Sequence, residues 1–281
     1  MANDGSIRIP IIVSGVLGKM GRSIVECALK SMTPVVFDIL AGLERLDLPQ
    51  IGVPLKDLLP GCQCTVPITA DIRSIDAERA VLIEFSPSPG AAVEHCAAAA
   101  ERGWGVVIGT TGLEHTHIEA ISACALQVPV VCSPNMSTGV NLLFKLAEDM
   151  VAVLGDRYDV EIIDIHHRMK RDAPSGTAVR IAEILATGIK KKTGEKTDVI
   201  YGRQPGSRQE QRVGREIAVH SVRAGEVVGE HTVVFAGAGE RLEIRHSAGS
   251  REAFSNGALR AAEFVLSAQA GLYSMRDVLG V

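Results

Sequence analysis

Aromatic residues are scarce: one Trp, three Tyr and six Phe make up 4% of 281 residues. Val, Ile, Leu and Ala must therefore fill the core, and their balance with Gly favours an α/β fold over an all-β one. No apolar run reaches the length needed to cross a bilayer. No basic tract with interleaved aromatics is present, and the formal net charge is −4, which argues against a nucleic-acid groove. The short run Lys190-Lys191-Lys192 reads as a solvated helix end. No C-x-x-C pair occurs. The six cysteines (Cys27, Cys62, Cys64, Cys96, Cys124 and Cys132) are scattered, so buried free thiols are expected and a structural metal is not. The N-terminal residues lack the charged and apolar regions of a signal peptide. The expected place is the cytoplasm, with neither membrane nor nucleic acid as partner.

The remaining residues show an ordered alternation. Ile7 to Ser14 is a continuous apolar run, as a strand buried on both faces requires. A glycine turn and a helix from about Met20 to Lys30 follow. Strand signals at Pro34 to Ala41, Ala80 to Phe85, Trp104 to Ile108 and Val128 to Cys132 enclose helices at Ala91 to Arg102 and Leu113 to Leu126. Strands separated by helices imply parallel crossovers and a doubly wound sheet. After about Met136 the cadence changes. A long helix (Val140 to Leu154), a strand (Asp159 to Ile165) and a second helix (Thr177 to Ile189) precede a polar stretch from Gly202 to Gly214. Strands at Arg215 to Val222, Glu230 to Phe235 and Leu242 to His246 then follow without helices between them, so this sheet is expected to be antiparallel or mixed. The expected organisation is a Rossmann domain over 1–136, a mixed α+β domain for substrate and oligomerisation over 137–246, and a terminal helix at Glu252 to Ala268 within a segment, 247–281, that packs back on the first domain.

Two kinds of glycine turn bear on chemistry. Gly15-Val16-Leu17-Gly18-Lys19-Met20-Gly21 is G-x-x-G-x-x-G between a strand and a helix. Gly15 permits the tight turn, Gly18 lets the backbone approach a pyrophosphate, and Gly21 lets the helix pack closely. The helix N-terminus then offers N–H groups and partial positive charge to phosphates. Glu44, at the end of the second strand, has the position to take the ribose hydroxyls of NADH. Its neighbour Arg45 has the charge to take the 2′-phosphate of NADPH. A surface ion pair is the other reading of these two. Gly109-Thr110-Thr111-Gly112 and Ser133-Pro134-Asn135-Met136 follow the ends of later strands, where ligands of open α/β sheets lie.

The densest chemistry runs from Asp164 to Thr177. His166, His167, Arg168, Lys170 and Arg171 fall between an apolar strand and a helix start at Ser175-Gly176-Thr177. Clustered positive groups near a helix N-terminus suit a ligand bearing carboxylates or phosphates. Histidine titrates near neutral pH and can donate a proton. If the strand continues through the motif, His166, Arg168 and Lys170 share one face and His167 the other. Zinc is a rival, but adjacent residues on a strand point apart and no third ligand has suitable spacing.

At these residues the chain resembles the dihydrodipicolinate reductase family. The resemblance covers nearly all of it, through Gly15 to Arg22, Glu44-Arg45, Val107 to Gly112, Asn135 to Asn141, Glu161 to Thr177 and Arg223 to His231. The most specific stretch is E-x-x-x-x-H-H-R-x-K-x-D-A-P-S-G-T. The resemblance implies a reductase of 4-hydroxy-tetrahydrodipicolinate in lysine and diaminopimelate biosynthesis, using NADH or NADPH. It implies that His166 is the catalytic proton donor or acceptor and Lys170 the second catalytic group. His167, Ser175, Gly176 and Thr177 would hold the dicarboxylate substrate. Gly15, Val16, Leu17, Gly18, Lys19, Met20, Glu44, Arg45, Gly109, Thr110, Thr111, Ser133, Pro134, Asn135 and Met136 would contact the cofactor. It also implies a homotetramer formed through the second domains. Met136 stands where many members carry Phe, which leaves an aromatic contact to the nicotinamide open. Two other readings stand beside this one: a Rossmann dehydrogenase acting on a small carboxylate or an aldehyde, the latter through a nucleophile such as Cys132, and a noncatalytic NAD(P)H-binding protein.

Overall fold

A computed structural model describes residues 7–31, 34–203 and 216–281. The chain starts with β1 (Ile7–Ser14), in which Ile9 and Ile11 to Val13 are fully buried. Then come α1 (Lys19–Lys30), β2 (Val35–Leu43), β3 (Val81–Glu84), α2 (Pro89–Glu101), β4 (Gly105–Ile108), α3 (His115–Cys124) and β5 (Pro129–Cys132). The order continues with α4 (Thr138–Leu154), β6 (Asp159–His166), α5 (Gly176–Thr193), β7 (Asp198–Tyr201), β8 (Glu216–Arg223), β9 (Gly229–Gly237) and β10 (Glu240–Ala248). Last are α6 (Glu252–Val265), β11 (Gly271–Tyr273) and α7 (Met275–Leu279). Contacts divide the chain into two units: Met1–Thr138 with Arg251–Gly280, and Gly139–Ser250.

The first unit holds a parallel sheet in the order β11-β5-β4-β3-β1-β2. Strand order reverses at β1, with β2 on one side and β3 on the other. In such sheets the crevice beyond the strand ends at the reversal is where a ligand fits. Ile9, Ile11 and Val13 pack with Ile24, Val25, Ala258 and Ala262 on one face. Ile12, Leu82 and Val106 pack with Ala92, Cys96, Trp104 and Ile121 on the other. Helices thus cover both faces, the doubly wound Rossmann arrangement. Ser88 starts α2 by accepting the Ala91 N–H at 3.3 Å, with Pro89 in the first turn. That cap sets the start two residues ahead of the expected Ala91.

The second unit holds a mixed sheet in the order β10-β9-β6-β8-β7. β9 runs antiparallel to β6 and β10, while β8 runs parallel to β6 and β7. Alternate residues of β6 (Val160, Ile162, Asp164 and His166) are buried. Phe235, Val233 and His231 of β9 stand opposite the first three, and Ile217, Val219, Ser221 and Arg223 of β8 stand opposite all four. Helix α5 contributes Ile181, Ala182, Leu185 and Ile189 to the apolar part of this core. Each such side chain stabilises by about 1.5–3 kcal/mol when fully buried, apart from the smaller alanine. The inner face is thus apolar at the start of β6 and polar at its end.

Several details depart from expectation. The short strands β7 and β11 and the helix α7 were not signalled. The polar stretch from Gly202 lies outside the described residues from position 204 on, as does Arg215. Helix α5 continues past Ile189 to Thr193, where Gly194 stops it at φ +78°. Lys192 is more than a solvated helix end: its Nζ donates to the carbonyls of Ala152 and Val153 at 3.1 and 2.7 Å, satisfying open acceptors at the end of α4. Among the described residues, no helix is long and apolar enough to cross a membrane.

Candidate active site

The first unit forms its candidate cofactor cradle from strand ends. Gly15 has φ +70°, and a Cβ there would lie 2.9 Å from the Phe85 carbonyl oxygen. A Cβ on Gly21 would fall 2.2 Å from the Gly15 carbonyl oxygen, so the close packing at Gly21 is against the turn itself. The Gly15 N–H donates to the Leu43 carbonyl at 3.0 Å, and no side chain caps α1 at Gly18. An uncapped N-terminus beside side-chain-free backbone suits a pyrophosphate, and these residues fit a dinucleotide. Val16 is buried, so only its backbone faces the loop. Leu17 and Met20 are half-buried, and Lys19 is exposed. Glu44 immediately follows β2. One of its oxygens accepts the Leu17 N–H at 2.7 Å, tying β2 to the loop. Arg45 is exposed and pairs with Asp47 at 3.3 Å, not with Glu44.

The other strand ends continue this rim. Gly109 lies under the Phe85 ring, which a Cβ would meet at 2.3 Å. Thr110 is buried and donates from Oγ1 to the Ser86 carbonyl at 2.9 Å, whereas Thr111 is exposed. The Ser133 N–H donates to the Ile108 carbonyl at 3.0 Å, and its hydroxyl donates to the Asn135 carbonyl at 2.9 Å. Pro134 is exposed and Asn135 half-buried, with Asn135 Oδ1 accepting the Ser137 N–H. Met136 departs from the expected rim position: it is 2% exposed and packs in the α1–α6 core.

Sequence reasoning passed over a buried cluster beneath this rim. Glu84 ends β3 with no exposure, and its Oε2 lies 2.6 Å from His95 Nδ1 on α2. Its Oε1 accepts the Ser86 N–H at 2.7 Å, and Ser14 Oγ is 3.3 Å from the same histidine nitrogen. Burial alone would raise the Glu84 pKa. The His95 and Ser86 contacts outweigh it and hold the carboxyl below its ordinary value. A carboxylate inside the apolar run Ala80 to Phe85 was the available signal.

The second unit gathers its polar residues where β6 ends. Asp164 is completely buried. It accepts Ser175 N–H at 3.0 Å, Ser175 Oγ–H at 2.7 Å, Ser221 Oγ–H at 3.3 Å and Arg223 Nη2–H at 3.0 Å. His166 Nδ1 lies 3.0 Å and His231 Nε2 3.4 Å from its Oδ1. Burial by itself would raise the Asp164 pKa, but the close approach of the His166 and His231 nitrogens and the hydrogen bonds from Ser175 drive it well below the usual carboxylate range. His166 and His231 meet edge to face at 5.3 Å. Ser175 also caps α5 by accepting the Ala178 N–H at 3.2 Å. Its hydroxyl is thus held inside the cluster and not offered to a ligand, in contrast to its expected role. Gly176 is exposed and Thr177 half-buried at the start of α5.

β6 stops at His166, so the expected face-sharing with Arg168 and Lys170 does not occur. The chain turns instead: Lys170 N–H donates to the His167 carbonyl at 3.1 Å, and Arg168 N–H to the Gly225 carbonyl at 3.1 Å. His167 is half-buried beside this turn. Lys170 Nζ pairs with Asp172 at 2.9 Å, which lowers the Asp172 pKa. Arg223 Nη2 donates to the Asp172 carbonyl at 2.7 Å, joining the turn to the cluster.

Contrary to the expectation from spacing, a third potential metal ligand is present. Asp164, His166 and His231 approach within 4.8 Å of one another because β9 supplies the third group. The Arg223 guanidinium already neutralises the carboxylate, and a second cation beside it would be repelled. Cys132 offers no activated thiolate, since burial pushes its pKa up to about 11.

A Rossmann unit with a dinucleotide cradle, joined in one chain to a unit with a buried histidine–carboxylate cluster, defines the class of NAD(P)H-dependent oxidoreductases. Two family models divide the chain between them: dihydrodipicolinate reductase, N-terminus, over residues 9–136, and dihydrodipicolinate reductase, C-terminus, over 139–279. A 4-hydroxy-tetrahydrodipicolinate reductase of Aquifex aeolicus is 43% identical over 97% of this chain and 99% of its own length. That of Aromatoleum aromaticum is 41% identical, covering 99% and 98%. The fold also matches a dipicolinate-bound dihydrodipicolinate reductase from Paenisporosarcina sp. TG-14, with a TM-score of 0.74, 24% identity and coverage of 95% and 98%. The chain belongs to the dihydrodipicolinate reductase family.

Proposed function

We propose that the chain reduces 4-hydroxy-tetrahydrodipicolinate to tetrahydrodipicolinate with loss of water, using NADH or NADPH, in lysine and diaminopimelate biosynthesis. The observation that carries this reading is His166 at the end of β6, braced by a buried carboxylate and followed by the Lys170 turn, in a chain 43% identical to such a reductase. Loss of the hydroxyl as water gives a conjugated imine. A dinucleotide held by Gly15 to Met20 would supply the hydride that a ring carbon takes. His166 gives a proton to the resulting enamine and regains one from solvent. Lys170, once drawn from Asp172, holds a carboxylate and stabilises charge as it develops. His167, Gly176 and Thr177 complete the carboxylate site, and Ser175 acts by fixing the helix start. Gly15 to Met20 cradle the pyrophosphate and Glu44 with Arg45 the adenosine ribose. Residues Gly109 to Thr111 and Ser133 to Asn135 line the nicotinamide side.

The same reading makes the protein a cytoplasmic homotetramer joined through the second unit. The outward residues of β10, where Leu242 is 46% exposed, support a covered surface there, and light scattering measures the mass. The deciding assay is oxidation of NADH on adding the aldol product of pyruvate and aspartate semialdehyde. Oxidation is expected with this product and with neither precursor alone. Its absence with both cofactors would overturn the reading.

A further inference from the structure

We propose that Asp164 is a positioning residue for proton transfer, holding Nδ1 of His166 so that Nε2 carries the transferred proton. This rests on the role of His166 given above. Asp164 is fixed from three directions by Ser175, Ser221 and Arg223. Its Oδ1, which also accepts the Ser175 hydroxyl at 2.7 Å, faces the two imidazoles of His166 and His231. His166 Nδ1 is buried and has no aligned hydrogen bond among the described residues, yet it stands 3.0 Å from that oxygen. The pair is within ion-pair reach but off the line of an ideal bond. Catalytic hydrogen bonds often tighten only when substrate is bound. An ionised carboxylate only accepts, so closing this contact requires the proton on Nδ1 and leaves Nε2 for exchange with the substrate.

The other edge of the ring fits this assignment. Nε2 lies over Gly229 at the start of β9, where a Cβ would come within 2.9 Å of it. Residue 229 thus brings no side chain to the nitrogen that must meet substrate. The charged and titratable groups around the ring are Asp164 on β6, Arg223 on β8, His231 on β9 and, behind His231, His246 on β10. Burial and His231 lower the His246 pKa. Of these four described groups, Asp164 is the anionic one. In the step itself, the Nε2–H bond breaks with its electron pair left on nitrogen, and the proton bonds to the enamine. Solvent then returns a proton to Nε2. Asp164 stabilises the imidazolium before transfer and keeps the ring in place after it.

The test is Asp164→Asn, assayed with the dicarboxylate substrate in ordinary and heavy water and with nicotinamide deuterated at the transferred position. We expect kcat to fall about 10²–10⁴-fold, the range for disabling an acid–base group or its orienting carboxylate, with substrate KM little changed. Proton transfer should become limiting, so the solvent isotope effect rises and the cofactor isotope effect falls toward unity. In a His166→Gln background the same change should add little. A fall in kcat with both isotope effects unchanged would mean a smaller active fraction, and hence a structural role only. If Asp164→Asn does not fold, Arg223→Gln loosens the same carboxylate and should move both isotope effects in the same directions, and unchanged effects overturn the proposal. A parent enzyme inactive on the substrate overturns the functional reading and this inference together. An active parent with an unaffected Asp164→Asn variant overturns this inference alone.

Discussion

Glu84 in the first unit and Asp164 in the second are both completely buried carboxylates beside a histidine at the carboxyl end of a strand. Their surroundings differ. Glu84 spends one oxygen on His95 and the other on the Ser86 backbone N–H, so its contacts end on a loop. Asp164 is gripped by Ser175, Ser221 and Arg223, and its histidine lies at the strand end where the chain turns toward Lys170. A carboxylate–histidine pair thus braces a loop backbone in one unit and, on the proposed function, the ring that moves a proton in the other. Burial of a charge alone does not distinguish the two; the other partners of the carboxylate do.

Replacing each histidine separates the two roles most sharply. His166→Gln should lower kcat about 10²–10⁴-fold with substrate still bound, because the proton donor is lost. His95→Gln should leave kcat nearly unchanged and act on cofactor KM, through the Glu84–Ser86 loop. Steady-state kinetics with both substrates varied reads both outcomes. Equal losses of kcat in the two variants would erase the distinction, and a His166→Gln variant with parental turnover would remove His166 from the chemistry.

A smaller effect is expected at Lys170, which belongs to the turn and not to the buried cluster. On the proposed function, a charge-assisted pair with a substrate carboxylate would compete with the existing pair to Asp172. A hydrogen bond to a charged group contributes about 1.5–3 kcal/mol, or roughly 10–100-fold. Lys170→Ala should therefore raise substrate KM and lower kcat, and pyridine-2,6-dicarboxylate should bind it correspondingly more weakly than the parent. Calorimetric titration of that planar dicarboxylate checks this, and equal affinity for both proteins would place the ligand elsewhere.

The two clusters were not equally legible before the fold was known. The glycine turn and the doubly wound sheet read directly, because a strand buried on both faces leaves a continuous apolar run and helices separate parallel strands. β7 and β11 did not: they are three- or four-residue edge strands with half-exposed side chains, too short for either periodicity. In the second unit, His166 and Lys170 stood out by local density. Asp164 lay in the same run, and the alternation Val160, Ile162, Asp164, His166 places it on the buried face. His231 and Arg223 could not be joined to it, since strand register across distant segments sets them opposite β6. The turn after His166 was hidden for a similar reason, as two of its backbone bonds are made with the distant Ala224 and Gly225.

The smallest expected effect lies at the adenosine end of the first unit, and the structure divides the pair that spacing had joined. Glu44 supports the glycine loop through the Leu17 N–H, a contact that would serve either cofactor on the proposed function. Arg45 is exposed and its side chain pairs with an exposed aspartate, Asp47, a pair worth about 0–1 kcal/mol. Arg45 can thus turn to a 2′-phosphate at little cost. The parent should use both cofactors, with kcat/KM values within about tenfold, a gap of about 1.4 kcal/mol. Arg45→Ala should weaken NADPH alone, since the charge-assisted bond exists only with the phosphate. Glu44→Ala should weaken both cofactors by loosening the loop, and NADH more, because the ribose hydroxyls lose their acceptor while the phosphate loses a repelling charge. Glu44→Gln keeps an acceptor for Leu17 and removes only the charge, so it should shift the ratio toward NADPH with less loss of NADH. Binding titrations of the three variants against both cofactors decide the matter. One ionic strength must be used, because an exposed phosphate contact is screened by salt. If Arg45→Ala weakens NADH and NADPH equally, the 2′-phosphate is not at this strand end, and Glu44 then acts on the cofactor only through the loop.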